Sequence, residues 1–280
     1  MEKRKRITPV QRARQRVSRV NALHTAVSYE RKIRTNRTRG IKASLDDLME
    51  RKVPPVLWAD EIGYSEAWMN PLLTDMYLTI GHKGAVEVAN RLLAKKADTT
   101  DVFTRALLQW AQTYLGQRIT LMGQTISTWL RDTLVAIYNG TTEIVVDGVV
   151  QTIANSSLGV EKLTKMLYAE TMNKWDAIKM WQCRRIAQTE AMNSMNVAGL
   201  EAAEALGIPY EKTWSISGIN TRETHEAVDG ITLPQGGLFT VGGYPMERPM
   251  DDRFGAPAGE VINCACTLIY LPADNGITEI

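Results

Sequence analysis

Apolar residues recur at intervals of three and four from Phe103 through Leu107, Trp110 and Tyr114, and again through Ile119, Met122, Ile126, Trp129, Thr133 and Ile137. That spacing returns side chains to one face of a helix and predicts an amphipathic helix, or a pair interrupted near Gly116 or Gly123, ending at Asn139-Gly140. Aromatic residues at this period read as core, not as a cofactor box. A thinner stripe, Val17, Val20, Leu23, Val27 and Ile33, runs through a segment from about Gln11 to Arg39. It is too narrow for a core helix and predicts one that docks on a partner or stays mobile until a partner arrives. Pro54-Pro55 must interrupt any helix, and Pro71 marks a further break or a first helical turn, so several short helices are expected between 41 and 97.

Further along, TTEIVVDGVVQTI (141–153) sets Asp-Gly between β-branched runs and predicts a small hairpin. Ser156-Ser157 can cap a helix reaching about Met172, and a longer helix is expected over 174–206, closed by Gly207 and Pro209. Beyond Pro209 the chain breaks into short β-like runs, YEKTWSIS, GIT, GLFTV and CTLIYL, separated by Gly- and Pro-rich turns. The fold class that follows is α+β: a mainly helical N-terminal and central region, then a small C-terminal α+β module with short antiparallel strands. The expected segments are an N-terminal arm (1–42), a helical body (43–155) and a C-terminal module (156–280) whose sheet lies within 210–271.

Charge changes the picture of the arm. Residues 1–42 carry 14 Lys/Arg against two acidic residues, a net +12, whereas the remainder carries 19 basic against 29 acidic residues, a net −10. A basic arm before an acidic body suits a polyanion or an acidic protein surface, because Lys/Arg contacts release counterions from phosphate. The candidate contact residues are Arg4, Lys5, Arg6, Arg12, Arg14 and Arg16, followed by Arg19, Arg31, Lys32, Arg34, Arg37 and Arg39. The plain alternative is a solvated tail that aids solubility. With 44% of 280 residues hydrophobic, a folded protein with one or two cores is expected. No apolar run approaches the ~18–20 residues that span a bilayer, and no membrane segment or secretory signal is expected. The three cysteines, Cys183, Cys264 and Cys266, argue for reduced thiols over a disulfide framework.

Three motifs follow one another in the last third of the chain: RIAQTEAMNSMNVAGLEAAEALGI (185–208), TWSISGINTRETHEAVDGITL (213–233) and GEVINCACTLIYL (259–271). In this order they resemble the phage Mu F-like family of minor head, or head morphogenesis, proteins. The first looks like the family's helix opening Arg-Ile-Ala-Arg-Thr-Glu; the second carries its Arg-x-x-His and Asp-Gly elements at Arg222, His225, Asp229 and Gly230. The third resembles the closing Asn-Cys-Arg-Cys strand at Asn263, Cys264 and Cys266. Gln188 and Ala265 stand where the family has arginines, which puts in doubt any role needing guanidinium there.

The resemblance implies a structural virion protein, not an enzyme, carried in few copies inside the head near the portal vertex and made in the host cytoplasm. It would assist head assembly, and DNA packaging or ejection. Its implied partners are the portal protein, head shell or scaffold proteins, and packaged double-stranded DNA.

Cys264 and Cys266, two apart, share a face if extended, and His225 and Asp229, four apart, share one if helical. Together these four make a conceivable tetrahedral zinc site. Some relatives carry Cys-x-x-Cys where this chain has Arg222 to His225, and Arg222 cannot ligate metal. No cofactor is therefore expected: the favoured reading is a buried polar cluster in which Arg222, His225, Asp229 and Asn263 fasten turns, with zinc as the lesser alternative.

Two other functions compete. The first is an enzyme or effector delivered with the genome, using Cys264 or Cys266 with His225, or His225 with Asp251, Asp252 and Glu260. No nucleophile elbow, phosphate loop or metalloprotease helix accompanies these residues, and the motifs run to Leu271, so no separate catalytic domain is expected after them. The second is a DNA-binding assembly factor absent from the mature particle.

Overall fold

The computed structural model describes residues 7–93, 100–218 and 221–273. Arg4, Lys5 and Arg6 lie outside the described residues, as do the side chains of Phe103 and Leu107. The elements in order are α1 (Pro9–Glu50), α2 (Trp58–Glu61), α3 (Met69–Leu92), α4 (Thr100–Tyr138), β1 (Thr141–Val146), β2 (Val149–Ala154) and α5 (Val160–Ala205). These are followed by β3 (Tyr210–Ser215), α6 (Glu223–Glu226), β4 (Thr232–Pro234), β5 (Phe239–Val241), β6 (Tyr244–Met246), α7 (Ala258–Val261) and β7 (Thr267–Pro272). The architecture is α+β, helical in the N-terminal and central parts and ending in short antiparallel strands. Among the described residues, no helix is long and apolar enough to cross a membrane.

Two compact units form, and neither is a continuous stretch of chain. One takes the residues up to Glu30, Pro71–Tyr114 and those from Arg184 on; the other takes Arg31–Asn70 and Leu115–Cys183. These units cut across the segment bounds expected at 42 and 155. The helix expected over 174–206 begins earlier: α5 runs unbroken from Val160, because no Gly or Pro stands between the two predicted helices. Likewise α4 passes through Gly116 and Gly123 without interruption, while Pro71 sits in the first turn of α3, where a missing amide hydrogen costs nothing.

The structure corrects the stripe expected on α1. Val17, Val20 and Val27 are exposed, at 60%, 57% and 54%, and the buried face over the same turns is Gln15, Arg19, Ala22, Ala26 and Tyr29. The two alanines are small and apolar, and the long polar residues find partners. Arg91 Nη2 donates to Gln15 Oε1 at 3.2 Å, Arg19 Nη2 to Thr267 Oγ1 at 3.3 Å, and the Tyr29 hydroxyl to Asp75 Oδ2 at 2.8 Å. Residues 7–42 are thus part of the packed fold. Of the expected stripe Ile33 is buried and Leu23 half-buried, but at Val17, Val20 and Val27 hydrophobicity selects the wrong face, because burial of a polar side chain depends on a partner that local pattern does not reveal.

In the second unit, Ile33, Arg37, Ile41, Leu45 and Leu48 form the buried line of α1, with Ile126, Leu130 and Leu134 of α4 and Leu163, Leu167 and Trp175 of α5 also buried. Trp175 donates Nε1–H to Thr38 Oγ1 at 2.8 Å and packs 5.8 Å from the Trp129 ring. The hairpin forms as expected, pairing Val146 with Val149 across Asp147-Gly148, both at positive φ as a tight two-residue turn of this type demands. Asn155 locks it to the end of α4, donating from Nδ2 to the Ile137 carbonyl at 2.6 Å.

In the first unit, Tyr77 of α3 lies 5.0 Å from Trp110, which stacks on Tyr114 at 4.5 Å. Gly84 of α3 faces Met195 of α5, where an added Cβ would meet Met195 Cγ at 3.0 Å and its carbonyl oxygen at 3.1 Å. The two helices approach closely only because that position has no side chain. The sheet runs β4-β3-β7, all antiparallel, and a separate hairpin joins β5 to β6.

Candidate functional site

β3 is the central strand of its sheet and carries Trp214, fully buried. The chain then loops to α6, a single turn that holds His225 with its ring edge-on to Trp214, 5.8 Å between centroids at 85°. After α7 the backbone turns through Asn263 at φ 60°, a left-handed position that asparagine tolerates, and delivers Cys264 and Cys266 just before β7. Both thiols point at the same atom: His225 Nδ1 lies 3.4 Å from Cys266 Sγ and 3.5 Å from Cys264 Sγ.

The other ring nitrogen is held by a residue outside the favoured polar cluster. Glu260 Oε2 lies 3.0 Å from His225 Nε2 and accepts from Thr224 Oγ1 at 2.9 Å. A carboxylate there accepts, so it places the proton on Nε2 and leaves the Nδ1 lone pair facing the thiols. Of the acidic residues that the sequence offers to His225, Glu260 is thus the one bonded to it. Asp251 instead accepts from Arg253 Nε at 2.7 Å and from the Glu247 amide at 3.0 Å.

Asp229 does not join the thiols. Its Oδ1 accepts the Ile216 amide at 3.2 Å and its Oδ2 pairs with Arg12 Nη1 at 3.4 Å, because α6 ends at Glu226 and the expected shared helical face is lost. Gly230, at φ 77°, donates its amide to the Trp214 carbonyl at 2.9 Å. Arg222 Nη2 donates to the Ile262 carbonyl at 2.5 Å, and the Asn263 amide to Thr189 Oγ1 at 2.9 Å. Asn196 Nδ2 adds a bond of 3.0 Å to the Cys266 carbonyl. The loop bearing the cysteines is therefore fastened from α5 and from the α6 side.

Electrostatically the two thiols differ. Its hydrogen bond with Cys266 holds the Cys264 thiol below the usual range against the opposing effect of burial, whereas the same bond and burial push Cys266 up. His225, Cys264 and Cys266 also line a cleft of about 580 Å³, with Arg16, Arg19, Gln188, Thr221 and Arg222 among its other walls.

Arg19, expected from sequence to contact DNA or a partner, is instead buried on this cleft; burial lowers the pKa of its guanidinium, and the two cysteines oppose that shift. Arg37 is withdrawn from the same set by its buried ion pair with Glu66, 2.6 Å apart. Both corrections have one cause: each arginine faces a partner distant in sequence. Arg12, Arg14, Arg16, Arg31, Lys32 and Arg39 are exposed, Arg34 is half-buried, and Arg12 is paired with Asp229. The sequence offers Glu260 to His225 only as one of three acidic residues in the competing hydrolase reading. Nothing local marks Arg19.

Comparison with protein-family models, with curated proteins and with solved structures gives no match.

Proposed function

We propose that this chain is a structural minor head protein of a tailed phage, held in few copies inside the head beside the portal, where it assists assembly and the packaging or ejection of DNA. The observation that carries the reading is the mutual packing of the three segments that resemble the Mu F-like family. Residues 185–208, 213–233 and 259–271 belong to one compact unit. They are tied together by the bonds from Asn196 to Cys266, from Arg222 to Ile262 and from Asn263 to Thr189. Motifs that serve one another's geometry in this way support a scaffold role. Mass spectrometry of purified particles tests it: the chain is expected at a few copies per particle together with portal protein, and its absence from particles would favour an assembly factor instead.

Contact with DNA is a second part of this reading, and it concerns an exposed helical surface. Deleting 1–42 would not be a clean test, because Ala22, Ala26, Ile33 and Ile41 would be stripped from the core. Replacing Arg14, Arg31 and Arg39 by glutamine removes charge from exposed side chains and spares the core. Affinity for double-stranded DNA is expected to fall in the variant. The slope of log affinity against log salt should shrink by about 0.9 for each phosphate that the replaced side chains no longer neutralise. An unchanged slope would assign these residues to solubility.

A further inference from the structure

We propose that His225 Nδ1, Cys264 Sγ and Cys266 Sγ bind one zinc ion, its fourth position taken by water or another oxygen donor entering from the cleft they line. The inference goes beyond the head-protein reading and does not rest on it.

The three ligand atoms have the spacing that zinc requires. At about 2.3 Å to sulfur and about 2.0–2.1 Å to nitrogen, tetrahedral angles set a nitrogen and a sulfur ligand about 3.6 Å apart. Here the two separations are 3.4 and 3.5 Å, and all three ligand atoms lie within 4.8 Å of one another. A neutral imidazole is a strong acceptor at one nitrogen, and two thiol groups need no common acceptor to be packed in a core. Their convergence on one lone pair is what a shared ion produces.

Groups behind the ligands hold them in place. Metal-binding histidines almost always donate their other N–H to a carboxylate or carbonyl, which fixes the ring and its tautomer. Glu260 stands in that place, steadied by Thr224. The cysteine loop is anchored through the Asn263 amide and the Cys266 carbonyl, so both sulfurs are positioned by backbone bonds to α5.

The charges also fit a dication. Binding releases the two thiol protons, and two thiolates then neutralise the dication. Arg19 and Arg222 line the same cleft. The soft sulfur pair favours zinc over magnesium or calcium, which take oxygen ligands. Asp229, engaged by Ile216 and Arg12, is not a ligand.

Metal analysis of the purified full chain, with zinc titration against a chromophoric chelator, tests the proposal. About one zinc per chain is expected, and less than a tenth of that in Cys264→Ser/Cys266→Ser with the helical circular dichroism retained. Glu260→Ala keeps every ligand and is expected to weaken binding by about 10- to 100-fold. Should the double variant fail to fold, cobalt(II) added to the wild-type chain decides. An intense thiolate-to-cobalt band supports the site, and a cobalt spectrum without one overturns it. Zinc retained by a folded double variant overturns it too, as does a wild-type chain that takes up no metal and whose Cys264 is rapidly alkylated. That last result would assign Cys264, His225 and Glu260 to nucleophile chemistry.

Discussion

Replacing Arg37 with alanine is expected to destabilise the chain by about 3–5 kcal/mol, because it leaves a buried carboxylate without its counter-ion. Arg37 and Glu66 are 3% and 0% exposed, and Tyr64 donates to the same carboxylate oxygen, Oε1, at 3.1 Å. Urea unfolding followed by tryptophan emission reads the loss. An unfolding midpoint equal to that of the wild type would mean that water or a neighbour replaces the guanidinium at no cost. The double variant Arg37→Met/Glu66→Leu is expected to recover most of the stability, since removing both charges also removes the desolvation penalty.

The effect has a sign in pH. Burial already holds the Glu66 carboxyl above its usual range, and Arg37 opposes that shift. A carboxyl whose folded value lies above its unfolded value binds more protons when folded, so stability falls as pH rises through the interval between the two. Without Arg37 the folded value moves further up and the interval widens. The deficit of Arg37→Ala is therefore expected to be largest near neutral pH and to shrink as acidification protonates Glu66.

Trp214→Ala is expected to cost a similar ~3–5 kcal/mol, by the cavity left on removing a fully buried indole. Trp214 contacts Phe239 edge-on at 5.2 Å and braces His225. Its backbone binds Ile231 and Gly230 across the turn that follows α6. Removing the side chain opens the space beside His225 as well as the core. Trp214→Phe keeps an aromatic body there and is expected to be much less costly. Denaturation midpoints for the two variants check this, and equal midpoints would show that the site does not depend on the indole.

Neither of these residues stands out in the sequence. Trp214 lies in a β-like run and Arg37 in a basic segment that reads as solvent-facing. The elements themselves are more legible. The Asp147-Gly148 hairpin, the end of α4 at Asn139-Gly140 and the short strands after Pro209 follow from turn chemistry and period, which are properties of a few neighbouring residues. Local pattern leaves open whether α4 is one helix or two and underestimates the length of α5, because internal glycines and mid-helix polar turns do not end a helix that tertiary packing sustains.

For the site, sequence order is enough to single out His225, Cys264 and Cys266 and to suggest that the two cysteines face the same way. It offers Asp229 to the thiols only through a helical phase with His225 that is lost when α6 stops at Glu226, and Asp229 instead fastens the Ile216 amide. It places Arg19 on a partner surface, while the chain folds it against Thr267, 248 residues away. Glu260 meets His225 across 35 residues, a pairing no local spacing encodes.

The division has a physical basis. Hydrophobic period, capping and positive-φ turns act within a few residues, so the amino-acid order alone determines the α+β class, most of the elements and the identity of the chemically capable side chains. Burial of a charge, the proton on an imidazole and the meeting of two sulfurs with a nitrogen are set by neighbours from other elements. Those were decided only when α1, α5, α6 and the loop before β7 packed together.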